Sequence, residues 1–134
     1  MLRLSRKFET ARTMVPAPVI EGSGSEKIGI IAFGSSHWAV IESRDQLQRE
    51  LGIETDYLRI RAFPFTHSIH DFIASHEVIY VIDQNRDSQM FNLLKMDIDA
   101  AQVTKLHSIR HFDGMPLEAR TLTSAIAAQE GAGN

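Results

Sequence analysis

From Lys27 onward the chain alternates between short, continuous apolar runs and stretches whose apolar residues recur at helical spacing. Ile28 to Phe33 (IGIIAF) is apolar throughout and gives way to Gly34-Ser35-Ser36, the pattern of a parallel strand buried on both faces. Ser35 or Ser36 can cap a helix over about His37 to Leu51, with Val40, Leu47 and Leu51 at helical spacing and Gly52 as its stop. Asp56 to Phe63 alternates instead. Leu58, Ile60 and Ala62 share one face and Arg59 and Arg61 the other, so the arginine face is expected to meet water or acidic partners. Pro64 ends this strand and Thr66 can cap the next helix, where Ile69, Phe72, Ile73 and His76 fall at i, i+3, i+4 and i+7. Val78 to Ile82 (VIYVI) is a second continuous run. It ends in Asp83 to Ser88, whose Asn85 or Asp87 can cap a helix that buries Phe91, Leu94 and Ile98. Thr104 to Phe112 is a further strand, Asp113-Gly114 a turn and Pro116 a first helical residue; Leu122 and Ile126 anchor a last helix.

This β-α-β-α-β-α-β-α order predicts a three-layer α/β/α sandwich with a mostly parallel sheet and right-handed crossovers. The domain is expected over residues 27–130. Residues 1–26 read as an interdomain linker or tail: a basic lead-in, Pro16 and Pro18 favouring extended backbone, then a flexible Gly22-Ser23-Gly24-Ser25. Such a linker usually has a domain on both sides, so Met1 is expected to lie inside a larger natural polypeptide. Residues 131–134 should fray.

Composition narrows the function classes. The 134 residues suit one domain, and 14 Lys plus Arg against 17 Asp plus Glu give a net charge of −3, which argues against a non-specific nucleic-acid binder. The absence of cysteine excludes disulfides, zinc ribbons, thiol catalysis and cysteine-held iron–sulfur clusters within this chain. No apolar run approaches the roughly 18 residues that a membrane span requires. The opening MLRLSRKFETARTMV is Arg-rich like a presequence, but it carries Glu9, lacks a secretory apolar core and runs into prolines. A soluble cytoplasmic protein is the default reading.

Open α/β sheets usually bind ligands at the carboxyl ends of their strands. Two loops there carry suitable groups: Gly34, Ser35, Ser36 and His37 after the first strand, and Asp83, Asn85 and Gln89 after the third. Gly34 allows a tight turn, and serine hydroxyls with helix-start amides can hold an anion; the plainer reading is that the serines only cap the helix. A lone glycine does not make a dinucleotide fingerprint. Gly22 to Lys27 (GSGSEK) has the look of a phosphate loop, but it precedes a strand and lacks the Gly-Lys-Ser/Thr ending. His67, His70, Asp71 and His76 invite a metal reading without the grouping that zinc demands, so no metal is assigned. His107 and His111 share a strand face. Ser35, His37 and Asp83 lack the G-x-S-x-G elbow of a nucleophilic triad, and no catalytic residue is assigned.

Several segments in order, KIGIIAFGSSHWAVIES, LGIETDYLRIRAFPF, EVIYVIDQNRDSQM and RHFDGMPLEA, resemble one family. It is the C-terminal, transketolase-like domain of the alpha subunit of 2-oxoacid:ferredoxin oxidoreductases, with RLSRKFETARTMVPAPVIE similar to the segment that precedes it. The resemblance runs from about Arg6 to Ala128. Gly34-Ser35, Gly52-Ile53, Pro64, Asn85, Gln89, Gly114 and Pro116 carry it; Asp83 stands where the family has Glu and Ser88 where it has Gly. GSSHWAV looks most like the 2-oxoglutarate branch.

The resemblance implies an enzyme that decarboxylates a 2-oxo acid on thiamine diphosphate and Mg²⁺. It passes electrons through a [4Fe-4S] cluster to ferredoxin and forms an acyl-CoA. It also implies that this chain binds none of these cofactors itself. The diphosphate and Mg²⁺ fall to the beta subunit and the pyrimidine to an upstream alpha-subunit domain. Both are expected partners, with ferredoxin reached through the complex and neither nucleic acid nor membrane involved. Gly34 to His37 with Asp83, Asn85 and Gln89 would then face an interface or an anion, and Arg59 and Arg61 an acidic partner or a solvated face. The different-class alternative is a stand-alone doubly wound ligand-binding or interaction module.

Overall fold

The computed structural model describes residues 18–61, 67–83, 89–110 and 117–131. Five strands, β1 (Val19–Glu21), β2 (Ile28–Phe33), β3 (Thr55–Ile60), β4 (Val78–Asp83) and β5 (Leu106–Arg110), form one sheet in the order β1-β3-β2-β4-β5. β2 to β5 are parallel, and β1 pairs antiparallel with β3 at the edge. The helices are α1 (His37–Leu51), α2 (His67–Ser75), α3 (Gln89–Asp97), a single turn α4 (Ala100–Val103) and α5 (Ala119–Gln129). The predicted α/β/α layering and mostly parallel sheet are present.

The continuous apolar runs have a direct cause. Along β2, Ile28, Ile30 and Ala32 join Val40, Leu47, Leu122 and Ile126 beneath α1 and α5. Ile31 instead packs with Ile69, Phe72, Ile73 and Leu94 beneath α2 and α3. Both faces of the strand are dry, so neither parity can be polar. On the α1/α5 face, register places Tyr57, Ile30, Tyr80 and His107 in one row across four strands. Each tyrosine ties that row to a helix end. Tyr57 shares a hydrogen bond with His37 Nδ1 (3.0 Å) at the start of α1, and Tyr80 donates to the Glu130 carboxylate beyond α5. Burial, then the Glu130 carboxylate, pushes the Tyr80 hydroxyl well above its usual range. Between the two helices, Thr123 donates to Gln46 Oε1 (2.6 Å) and accepts from Ser43 (2.8 Å), a buried relay that sets their pairing.

Three expectations change. Residues 19–21, read as linker, add a strand to the sheet, because the outer edge of β3 otherwise leaves its backbone groups unpaired. The GSGSE stretch is not a free spacer either. Gly24 and Glu26 donate their backbone N–H groups to the two carboxylate oxygens of Asp56, each at 3.1 Å. Gly22 passes so close, at φ +116°, that a Cβ there would lie 2.1 Å from Asp56 Oδ1. The loop is an anion cradle, and its anion is the protein's own. Finally, the arginine face of β3 is not solvated along its length: Tyr57 on that face is buried under α1, and Arg44 of α1 donates to the Thr55 carbonyl (2.7 Å) and hydroxyl (3.0 Å). The predicted turns and caps at Pro64, Thr66, Asp113-Gly114 and Pro116 lie outside the described residues.

Asp56 also receives His76. Its carboxylate lies 2.7 Å from His76 Nε2, and His76 Nδ1 lies 2.6 Å from the Phe72 carbonyl, with the ring tilted against Phe72. The ring thus bridges the Asp56 carboxylate and the last turn of α2, where the Ser75 hydroxyl also lies 3.1 Å from Nδ1. Neither side chain reaches solvent. Burial alone would push the Asp56 carboxyl up; the bonds from His76, Gly24 and Glu26 outweigh it and hold the carboxyl below its ordinary range.

Asp56→Ala should therefore destabilise the fold by about 3–5 kcal/mol in urea unfolding followed by circular dichroism, because it leaves the Gly24 and Glu26 amides and the buried His76 ring without their acceptor. Asp56→Asn should lose less, since one amide keeps its acceptor. The depressed carboxyl stabilises above its ordinary value of 3.8, and this contribution falls away as pH drops through the lower folded value. Wild-type stability should fall across that acid window, and Asp56→Asn should flatten the fall.

Candidate functional site

The connections out of β2 and β4 diverge. β2 leads through α1 to β3 on one side, and β4 leads through α3 and α4 to β5 on the other. The carboxyl ends of β2 and β4 therefore flank the switch point of the sheet, where doubly wound folds bind ligands. Ile31 pairs with Val81, two residues short of Phe33 and Asp83, so the two predicted loops do start side by side.

At the β2 end, Gly34 adopts φ +67° and opens a 3₁₀ turn, Gly34–Ser36, that runs directly into α1. Of the two serines expected to cap the helix, Ser36 sits in helical conformation, makes no side-chain capping bond and is buried, while the Ser35 side chain lies outside what is described. The 3₁₀ turn instead continues the hydrogen bonding backward, with the His37 N–H bonded to the Gly34 carbonyl. His37 turns its ring to Tyr57, stacked at 5.7 Å between centroids, and its Nδ1 is engaged there. Burial pushes the Tyr57 hydroxyl up to about 12, so it is a neutral partner across the physiological range.

At the β4 end, Asp83 binds the start of α3; the caps expected at Asn85 or Asp87 lie outside the described residues. Asp83 Oδ1 accepts the Met90 N–H (3.0 Å) and its Oδ2 the Phe91 N–H (3.2 Å), from the first turn of α3. A buried carboxylate at the end of a strand thus anchors the next helix by its free amides. Gln89 opens α3 on the exposed side. Arg59 is half-buried, while Arg61 is exposed just past β3.

The chemistry-bearing residues therefore leave adjacent strands but turn to opposite faces of the sheet and are committed to different bonds. His37 addresses Tyr57 and Asp83 addresses backbone amides. The histidine cluster divides likewise: His70 bonds Asp97 (2.8 Å) and His76 bonds Asp56. Among the described residues, no group of three or more His, Asp or Glu side chains is placed to hold a metal ion. These residues do not fit a Mg²⁺–diphosphate, and a chain without cysteine offers no thiolate for a cluster. No step of such chemistry is assigned to this chain. Sequence reasoning missed Asp56; its only signal was a carboxylate on the same strand face as Leu58 and Ile60. It also missed Trp38, which is 76% exposed.

If Asp83 anchors α3, Asp83→Ala should cost about 1–2 kcal/mol and raise the exchange rates of the Met90 and Phe91 amides above those of the rest of α3. Amide hydrogen exchange read by NMR checks this; unchanged protection at both amides would contradict it.

No protein-family model matches the chain. It is 22% identical over 131 residues to subunit alpha of 2-oxoacid:ferredoxin oxidoreductase 2 from Aeropyrum pernix, covering 94% of this chain and 20% of the relative. Among solved structures it is similar to 2-oxoglutarate:ferredoxin oxidoreductase from Magnetococcus marinus, with a TM-score of 0.76 and 19% identity, over 90% of this chain and 21% of that one. It is also similar to the alpha chain of a probable 2-oxoacid ferredoxin oxidoreductase from Thermoplasma acidophilum, with a TM-score of 0.53 and 19% identity, over 88% of this chain and 98% of that one. The chain spans about a fifth of the length of the curated relative. The resemblance read from the sequence is thus met again in both comparisons: in sequence this chain is similar to part of a 2-oxoacid:ferredoxin oxidoreductase alpha subunit, and in fold to chains of such enzymes.

Proposed function

We propose that the chain is a structural and assembly domain, in the C-terminal position, of the alpha subunit of a thiamine diphosphate-dependent 2-oxoacid:ferredoxin oxidoreductase of the 2-oxoglutarate type. The intact enzyme would convert the oxo acid and CoA to an acyl-CoA and CO₂ while reducing ferredoxin. The carrying observation is the match of nearly all of this chain to about a fifth of a much longer one. The site supports a non-catalytic role: Asp83 and His37, the groups best placed for chemistry at the switch point, are spent on holding α3 and Tyr57. In this reading the carboxyl edge of the sheet faces an upstream pyrimidine-binding domain of the same subunit and a beta subunit. That the chain matches 98% of the Thermoplasma alpha chain supports a unit of this extent folding by itself.

No helix among the described residues is long and apolar enough to cross a membrane, and the proposed setting is the cytoplasm.

The reading predicts that the chain alone gives no saturable heat with thiamine diphosphate and Mg²⁺ in titration calorimetry, and reduces no ferredoxin when supplied with 2-oxoglutarate and CoA. Tight cofactor binding by this chain would overturn the assembly role. The coding context tests the family reading separately: absence of both an upstream pyrimidine-binding domain and a neighbouring beta-subunit frame would favour a stand-alone doubly wound module.

A further inference from the structure

A second surface lies apart from the switch-point loops. The first three turns of α1 and the start of α5 border an open pocket of about 430 Å³, lined by Trp38, Glu42, Gln46, Leu117, Glu118 and Arg120 among others. Trp38 is the sole tryptophan of the chain and stands three-quarters exposed on its rim. His37 packs its ring edge-on against it, at 5.0 Å between centroids, which fixes one side of the indole. The lining is charged, and its charges are not balanced. Arg120 is already engaged by both carboxylate oxygens of Glu50, at 2.7 and 2.8 Å. Glu42 and Glu118 then leave the cavity net negative.

An exposed indole on a pocket that two carboxylates also line suits a cation on an apolar stem. The ring quadrupole attracts the cation, the carboxylates accept its N–H groups, and the methylenes cover Leu117. Rigid exposed tryptophan beside a pocket is also what anchors protein interfaces. The geometry points to a docking site for a basic segment of another polypeptide, with one arginine or lysine side chain laid over Trp38 between Glu42 and Glu118. The inference needs only this cavity and stands whether or not the oxidoreductase reading holds. The charge of the lining selects a basic occupant over an acidic or purely apolar one.

Trp38 is a built-in reporter. The full chain should show a saturable change in tryptophan emission when titrated with a tri-arginine peptide, weakening as salt is raised. A tri-citrulline peptide, equal in shape but uncharged, and a tri-glutamate peptide should produce none. The double variant Glu42→Gln/Glu118→Gln should bind tri-arginine about tenfold more weakly, as expected for losing two partly exposed ion pairs. Its thermal unfolding should match wild type, because neither carboxylate holds the fold. No saturable change, an equal response to tri-citrulline, or equal binding by the double variant would each overturn the proposal. So would emission that depends on protein concentration together with a dimer in sedimentation velocity, which gives the surface to a second copy. Emission already shifted in the chain alone and restored by removing residues 1–17 would give it to the chain's own basic lead-in and overturn it too.

Discussion

A single carboxylate in a dry place organises much of this molecule. Asp56 sits at the start of β3 with no exposed surface, and it is stable there only because three donors reach it from two separate parts of the chain. His76 arrives from the end of α2, and Gly24 and Glu26 from the approach to β2. An isolated charge at this depth would cost far more than any one contact returns. The donors must therefore be in place together, and this requirement couples the edge of the sheet, its α2 face and the entry segment into one cooperative unit. The same constraint explains why that entry segment is rich in glycine: its backbone has to come within contact distance of the carboxylate and present amides to it.

Asp83 repeats the device at the opposite end of the sheet. There the carboxylate of a strand terminus satisfies the free amides of α3, so the geometry of the β4 loop depends on an internal anion. The two carboxylates use the anion-binding power of backbone amides for construction. In an α/β fold that power is normally offered to ligands. A sheet whose amide cradles are filled by its own side chains is well suited to be a rigid partner in a larger assembly, and the charged cavity beside Trp38 lies on the helical layer, where such a partner would present its surface.

Much of the architecture was legible because it rests on local rules. IGIIAF and VIYVI cannot be amphipathic, so they had to be central strands, and Ile69, Phe72 and Ile73 had to lie on one helix face. Gly52 ends α1 as its position implied, with its N–H bonded to the Gln48 carbonyl. The loops that leave β2 and β4 could be delimited from the sequence, and the parallel pairing of those strands starts them side by side. What their residues bond there was not legible: Ser36 is buried in a 3₁₀ turn without a capping bond, and Asp83 reaches the amides of α3 from six residues before the helix starts.

The sequence by itself determined the order of the main strands and helices from Ile28 onward, the layering and the family resemblance, because each depends on periodicity or on motifs within a short window. Only the tertiary structure decided which polar groups are free. A Gly-Ser stretch reads as a spacer until a buried carboxylate thirty residues away needs its amides. Arg59 reads as one of a solvated face until α1 covers Tyr57 beside it. Trp38 carries no sign of its exposure in the sequence until the fold leaves it beside a pocket that Glu42 and Glu118 also line. In each case the deciding partner is distant in sequence and adjacent in space, and the desolvation of charge that makes the contact decisive arises only on folding.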